Sequence, residues 1–298
     1  MKKALVTGGL GFIGFHLVQR LLMEGIEVIV VDEMPQEKNE VQEEMWMRIG
    51  RNDLATLLNE KVENIDLLSV LKDVDTIFHL AAQTSSDSKW PKLAKVIENN
   101  VKLTKKLVKA IPERAILIYA STVEVYGERP GLITERTPTN PTSAYGITKL
   151  ASERLIENEC KERGISYSIL RLPTIYGPWQ RSDMTYQQII LGKKDPEIDR
   201  STLDVLYVDD CIEAFLLAAN LHQKNEIFQL TSGQEEAWYE GIRLLGCREI
   251  KKKSKIKTTL SSDKSTTLLG FTPQITLEKG LAKQREHVKQ WQNQQRLS

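Results

Sequence analysis

Through the first half of the chain, short unbroken apolar runs alternate with longer segments whose apolar residues recur at helical spacing. Lys3–Thr7 reads as a strand. Phe12–Glu24 reads as a helix, because Phe12, Ile13, Leu17, Val18, Leu21 and Leu22 share one face and Gly25 stands where a helix stop is expected. Glu27–Val31 is a second apolar strand and ends at Asp32. Thr76–Ala81, Ala115–Ala120 and Tyr167–Arg171 repeat the strand theme, with predicted helices at Lys92–Ala110 and Ala144–Arg163. Strands that are apolar throughout require a sheet covered on both faces. Their alternation with helices predicts an α/β fold built on a doubly wound parallel sheet. Beyond Arg171 the pattern loosens at Pro173, Gly177 and Pro178, and a polar stretch runs to Thr202. Asp204–Val208 and Glu226–Leu230 read as strands, Asp209–Asn220 as a helix with acids in its first turn, and Leu277–Gln292 as a last amphipathic helix.

Composition narrows the class. The chain has 298 residues, 41 Lys+Arg against 40 Asp+Glu, and 41% apolar residues, enough for a sizeable core. Near-neutrality argues against a nucleic-acid partner or a polybasic membrane anchor. No run approaches the ~18 apolar residues of a membrane span. A strand pattern that starts at Lys3, and three scattered cysteines (Cys160, Cys211 and Cys247) without disulfide or metal-ligand spacing, lead us to expect a cytoplasmic protein with no metal. The basic run Glu249–Lys257 reads as solvated surface.

Three constellations carry chemistry. Gly8, Gly9, Gly11 and Gly14 sit between the first strand and the first helix, where a pyrophosphate approaches backbone N–H groups at a helix N-terminus. Phe12 and Ile13 open that helix. Asp32 closes the second strand, and an acid there favours NAD over its 2′-phosphorylated form. His79-Leu80-Ala81-Ala82 gives small residues along a cofactor groove, and Asp66-Leu67 is a candidate flank for the adenine. Tyr145 and Lys149 share a helix face, so the ammonium favours the phenolate and moves the tyrosine from about 10 toward neutrality, where it serves as a general base or acid. Thr122 follows the Ala115–Ala120 strand at the sheet edge where open α/β proteins bind ligands.

With TGGLGFIG, Asp32, HLAA, ENNV, STVEVYG, SAYGITK, LRLPTIYGP, LYVDD and LLGFTP in order, the chain resembles an extended short-chain dehydrogenase/reductase, and more narrowly the NAD-dependent epimerase/dehydratase family acting on nucleotide sugars. The resemblance implies a Rossmann domain at 1–172 with a return segment at about 204–231, and a smaller substrate-binding part at 173–203 and 232–298. It implies Tyr145 as base, Lys149 as its partner on the nicotinamide ribose, Thr122 as the catalytic hydroxyl and Asn100 near the cofactor. Gln83, Ser85, Thr174 and Arg181 are expected on the substrate side with Thr122, Glu124 and Tyr145. In the implied reaction Tyr145 takes the proton of the sugar 4-hydroxyl as C4 is oxidised by NAD, and the hydride is returned within the turnover. Glu124 stands where dehydratases of the family carry an acid/base, so elimination of water is expected. Epimerisation at C4, reduction of a 4-keto sugar, and a non-catalytic NAD-binding regulator are the alternatives. Val123 stands where many dehydratases have Asp, Thr174 where Asn is common, and Leu203 near the usual diphosphate-gripping Arg; Arg200, Arg181 and the lysines at 251–257 are the local substitutes. The resemblance also implies a homodimer paired through Lys92–Ala110 and Ala144–Arg163.

Overall fold

A computed structural model describes residues 1–34, 39–82, 92–193, 195–196, 204–222, 225–247 and 258–297. Along the chain the strands are β1 Lys3–Thr7, β2 Glu27–Asp32, β3 Ala55–Asn59, β4 Thr76–His79, β5 Ile116–Thr122, β6 Gly131–Ile133, β7 Ser166–Leu172, β8 Thr174–Tyr176, β9 Val205–Tyr207, β10 Glu226–Gln229 and β11 Thr258–Leu260. The helices are α1 Phe12–Met23, α2 Glu40–Gly50, α3 Leu67–Val70, α4 Lys92–Ala110, α5 Ala144–Arg163, α6 Thr185–Ile190, α7 Val208–Asn220, α8 Ala237–Leu244, α9 Asp263–Thr267 and α10 Leu277–Leu297.

Seven strands form one parallel sheet in the order β3-β2-β1-β4-β5-β7-β10. The direction of winding reverses between β1 and β4, which opens a crevice at the C-terminal ends of the strands. Alternate residues of each strand feed opposite layers. Leu5, Ile77 and Leu117 pack with Leu107, Val108 and Ile156 on one face. Val6, Val28 and Ile118 pack with Phe15, Leu17 and Phe215 on the other. The predicted doubly wound α/β sheet is what folds.

Three differences from the pattern have local causes. β3 and α2 carry no clear sequence signal because ATLLN is an edge strand with half-exposed and exposed positions and α2 buries only Met45 and Ile49. The Asp204–Val208 run shortens to β9, which pairs in parallel with β8 outside the central sheet, and Val208 already belongs to α7. β4 stops at His79, so Leu80, Ala81 and Ala82 follow the strand instead of belonging to it. Among the described residues no helix is long and apolar enough to cross a membrane.

Ile118 lies in the middle of the sheet and is fully buried, whereas Leu132 on β6 is 63% exposed. Ile118→Ala is expected to cost about 3 kcal/mol of unfolding free energy in denaturant titration, and Leu132→Ala about 0.5 kcal/mol or less.

Candidate active site

The crevice holds a cavity of about 430 Å³. Its first wall is the glycine turn. Gly8 takes a left-handed φ of +74°, and a Cβ there would lie 2.8 Å from the Ala81 nitrogen. A Cβ on Gly14 would lie 2.0 Å from the Gly8 carbonyl oxygen. Backbone thus occupies the space that side chains would need, and α1 begins directly at the cavity. Gly11, Phe12 and Ile13 line it with them. Asp32 closes the turn from the side: its Oδ2 accepts from the Leu10 N–H at 2.7 Å and its Oδ1 from the Glu33 N–H at 2.9 Å. Burial pushes the Asp32 carboxyl up, and those N–H groups offset only part of that rise.

The floor is a buried polar chain. Thr7 Oγ1 accepts from the Ala81 N–H at 3.2 Å and pairs with His79 Nδ1 at 2.8 Å. His79 Nε2 pairs with Thr104 Oγ1 at 3.1 Å, and the Thr104 hydroxyl donates to Ser152 Oγ at 3.4 Å. Burial pushes His79 down to about 3, with Lys149 adding to the effect, so the ring is neutral at physiological pH. This chain ties the β4 end, with Leu80, Ala81 and Ala82, to the end of β1.

The far wall comes from β5 and α5. Thr122 ends β5, caps the 3-10 turn Val123–Tyr126 by accepting from the Glu124 N–H at 3.2 Å, and lines the cavity. Ser143 caps α5 by accepting from the Gly146 N–H at 3.0 Å, which places Tyr145 and Lys149 in the first helical turns. Lys149 is buried; its Nζ donates to the Ala120 carbonyl at 2.7 Å and lies 5.7 Å from the Tyr145 ring centroid. Asn100 of α4, Thr174 of β8 and Arg181 complete the lining. The Arg181 guanidinium forks onto Asp183 at 2.9 and 2.8 Å.

The structure therefore brings Gly8, Gly11, Phe12, Ile13, Gly14, Asp32, Leu80, Ala81, Ala82, Asn100, Thr122, Tyr145, Lys149, Thr174 and Arg181 to one cavity. It separates three others from it. Asp66 caps α3, accepting from the Ser69 N–H, and Leu67 is buried in the core. Residues 60–63, which follow β3, line the cavity in their place, because the register pairs Asp32 with Asn59. Glu124 lines a neighbouring cavity of about 130 Å³, with Ser143, Asp204 and residues of β11, and its carboxylate accepts from the Ser143 hydroxyl. Gln83, Ser85, Arg200, Leu203 and the lysines at 251–257 lie outside the described residues. Gln42, Gln180 and Met184 also line the main cavity. No spacing in the sequence marks them, since each reaches the cavity through a loop or helix with no motif of its own. Among the described residues no His, Cys, Asp and Glu cluster is placed to hold a metal ion.

A glycine cradle, an acid at the end of β2 and a tyrosine–lysine pair at the crevice of a doubly wound sheet fit a dinucleotide and define an enzyme of the dehydrogenase/reductase class. The chain belongs to the NAD-dependent epimerase/dehydratase family, whose profile matches residues 4–230, and NAD is the family's cofactor. It is 35% identical over 231 residues to an uncharacterized UDP-glucose epimerase of Bacillus subtilis, covering 71% of this chain and 70% of the relative. It is 30% identical over 244 residues to a dTDP-D-glucose 4,6-dehydratase of Dictyostelium discoideum, covering 72% of this chain and 55% of that one. The structure superposes with a TM-score of 0.84 on UDP-glucuronic acid 4-epimerase from Bacillus cereus, solved with NAD; the two are 30% identical, and the match covers 97% of this chain and 99% of that one.

Asp204, in the second cavity, accepts from the Ser232 N–H at 3.0 Å and from its hydroxyl. Burial pushes its carboxyl from 3.8 up to about 6. A raised acid holds its full stabilising contribution below the unfolded value and loses it as pH rises through the folded one. The unfolding free energy of Asp204→Asn, measured against the parent, is therefore expected to shift in the variant's favour by on the order of 2 kcal/mol between pH 4 and pH 7. A difference that stays flat over that range contradicts the assignment.

Proposed function

We propose that this chain acts on a nucleotide-diphosphate sugar, oxidising it transiently at C4 and returning it as the C4 epimer. The observation that carries this reading is the division of labour between the cavities: Thr122, Tyr145 and Lys149 share one with the glycine turn, while Glu124 lines the other, with Ser143 engaging its carboxylate. The turn residues Gly8, Gly11 and Gly14 would meet the pyrophosphate of NAD with backbone N–H groups, Asp32 the adenosine ribose hydroxyls, and Lys149 the nicotinamide ribose. The chemistry that NAD supplies when bound is reversible acceptance of a hydride. Tyr145, favoured as the phenolate by the Lys149 ammonium, takes the 4-hydroxyl proton, holds it as the neutral phenol while C4 is oxidised and then gives it back, and the Thr122 hydroxyl holds the same sugar oxygen. Residues 173–203 and 232–298 would supply the sugar nucleotide's side of the cleft.

Dehydration is the second reading, favoured by Glu124 lying two residues beyond Thr122 with its N–H on the threonine oxygen. Against it, Val123 offers no proton to a leaving hydroxyl and Ser143 already holds the Glu124 carboxylate.

Incubation with UDP-, dTDP-, GDP- and CDP-sugars decides between them. A new stereoisomer of unchanged mass is the expected product; loss of one water in mass identifies a dehydratase. Tyr145→Phe is expected to lower turnover about 10²- to 10⁴-fold while NAD binding, read by protein fluorescence, changes little. Glu124→Gln is expected to leave the mass-neutral product with kcat within about one order of magnitude of the parent; abolition of turnover would restore Glu124 as an acid/base.

A further inference from the structure

Beneath the candidate site lies a buried ion pair to which the proposed reaction gives no part. Glu153 on α5 is fully buried and Arg171 on β7 is 2% exposed. Arg171 Nε and Nη2 fork onto the two Glu153 oxygens at 3.0 and 2.7 Å. Its Nη1 donates to the Tyr126 hydroxyl at 2.9 Å, and its guanidinium lies 4.8 Å from that ring's centroid. The Ser121 hydroxyl also donates to Glu153.

These four residues reach every element that carries the reacting groups. Ser121 precedes Thr122 on β5 and faces Arg171 directly in the β5–β7 register. Tyr126 closes the 3-10 turn that begins just after Thr122. Tyr145, Lys149 and Glu153 recur every four residues on one face of α5. Lys149 fastens the next position up by donating to Ala120. Helix and strand end are thus joined at two consecutive residues, once by an ammonium and once by a carboxylate.

Stability alone does not call for such a pair, since apolar residues of similar volume often serve a buried site equally well. What an apolar pair lacks is direction: a planar guanidinium fork fixes the rotation and height of its partner.

We propose that the Glu153–Arg171 pair is a positioning element, which through Ser121 and Tyr126 holds the end of β5 in the one register against α5 that lets Thr122 and Tyr145 meet at a single substrate oxygen. The proposal rests on the reading of Thr122 and Tyr145 as the reacting pair.

Three variants test it: Glu153→Gln, Arg171→Lys, and the apolar double replacement Glu153→Leu with Arg171→Met. Each is measured for unfolding temperature, NAD binding, kcat and KM with the sugar nucleotide that the wild type converts, and the ionisation of Tyr145 by ultraviolet difference against its own Tyr145→Phe form. The expected result is a kcat lowered on the order of 10- to 100-fold with KM and NAD binding little changed, and a Tyr145 midpoint raised by about one pH unit, in whichever variant retains the wild-type unfolding temperature. If kcat simply follows unfolding temperature and the Tyr145 midpoint stays in place, the pair is only structural and the proposal fails. Should the double replacement not fold, the two conservative variants carry the same comparison. If the wild type converts no sugar nucleotide, the reaction assignment fails by itself, and the Tyr145 titration still decides whether the pair positions that residue.

Discussion

Lys149 is a buried cation lying across the end of β5, with its Nζ on the carbonyl of Ala120. A charge in that place is costly unless polar groups surround it, so the strand end, the helix and the turn between them are constrained together. Gly146 adds a steric limit, because a Cβ there would come within 2.7 Å of the Glu124 carbonyl oxygen. Helix α5 is accordingly pressed onto the 3-10 turn after Thr122, and the distance between the threonine and tyrosine side chains follows from that contact. A looser approach leaves the same residues in the sequence but in no common cavity.

The other half of the cavity depends on a second close approach, between the glycine turn and the residues after β4. Gly8 comes so near Ala81 that only hydrogen fits. The neutral His79 and Thr7 hold the two strand ends in that contact. Backbone N–H groups are thereby presented at the start of α1 without any cationic side chain. A chain with 41 basic and 40 acidic residues can meet a pyrophosphate in this way. Arg181, a cation in the cavity lining, is already forked onto Asp183.

Much of this was legible from the residues. Helical spacing located α4 and α5 to their ends, and the Thr7–Gly14 turn with Asp32 pointed to a dinucleotide because each glycine answers a steric demand that no other residue meets. β3 was not legible, as an edge strand lacks the continuous apolar run that marks a doubly covered one, and with it went residues 60–63. Asp66 and Leu67 are expected beside the adenine from their position before a helix; in the structure Asp66 caps α3 and Leu67 is a core residue.

Local sequence thus determined the doubly covered strands and their parallel arrangement, the helices α1, α4, α5 and α7, the phosphate-binding turn and the tyrosine–lysine face, since each depends on contacts within a few residues or on one strand's burial. Tertiary structure decided which side chains share a cavity. Glu124 stands two residues from Thr122 and nineteen from Ser143, a spacing from which no side-chain direction follows; the fold turns its carboxylate to the Ser143 hydroxyl, and the residue lines the second cavity. Glu153 and Arg171 likewise look like ordinary charged residues along the chain, and become a buried pair only when β5, β7 and α5 close around them. Direction and desolvation are properties of the packed chain, so the chemistry that depends on them was decided there.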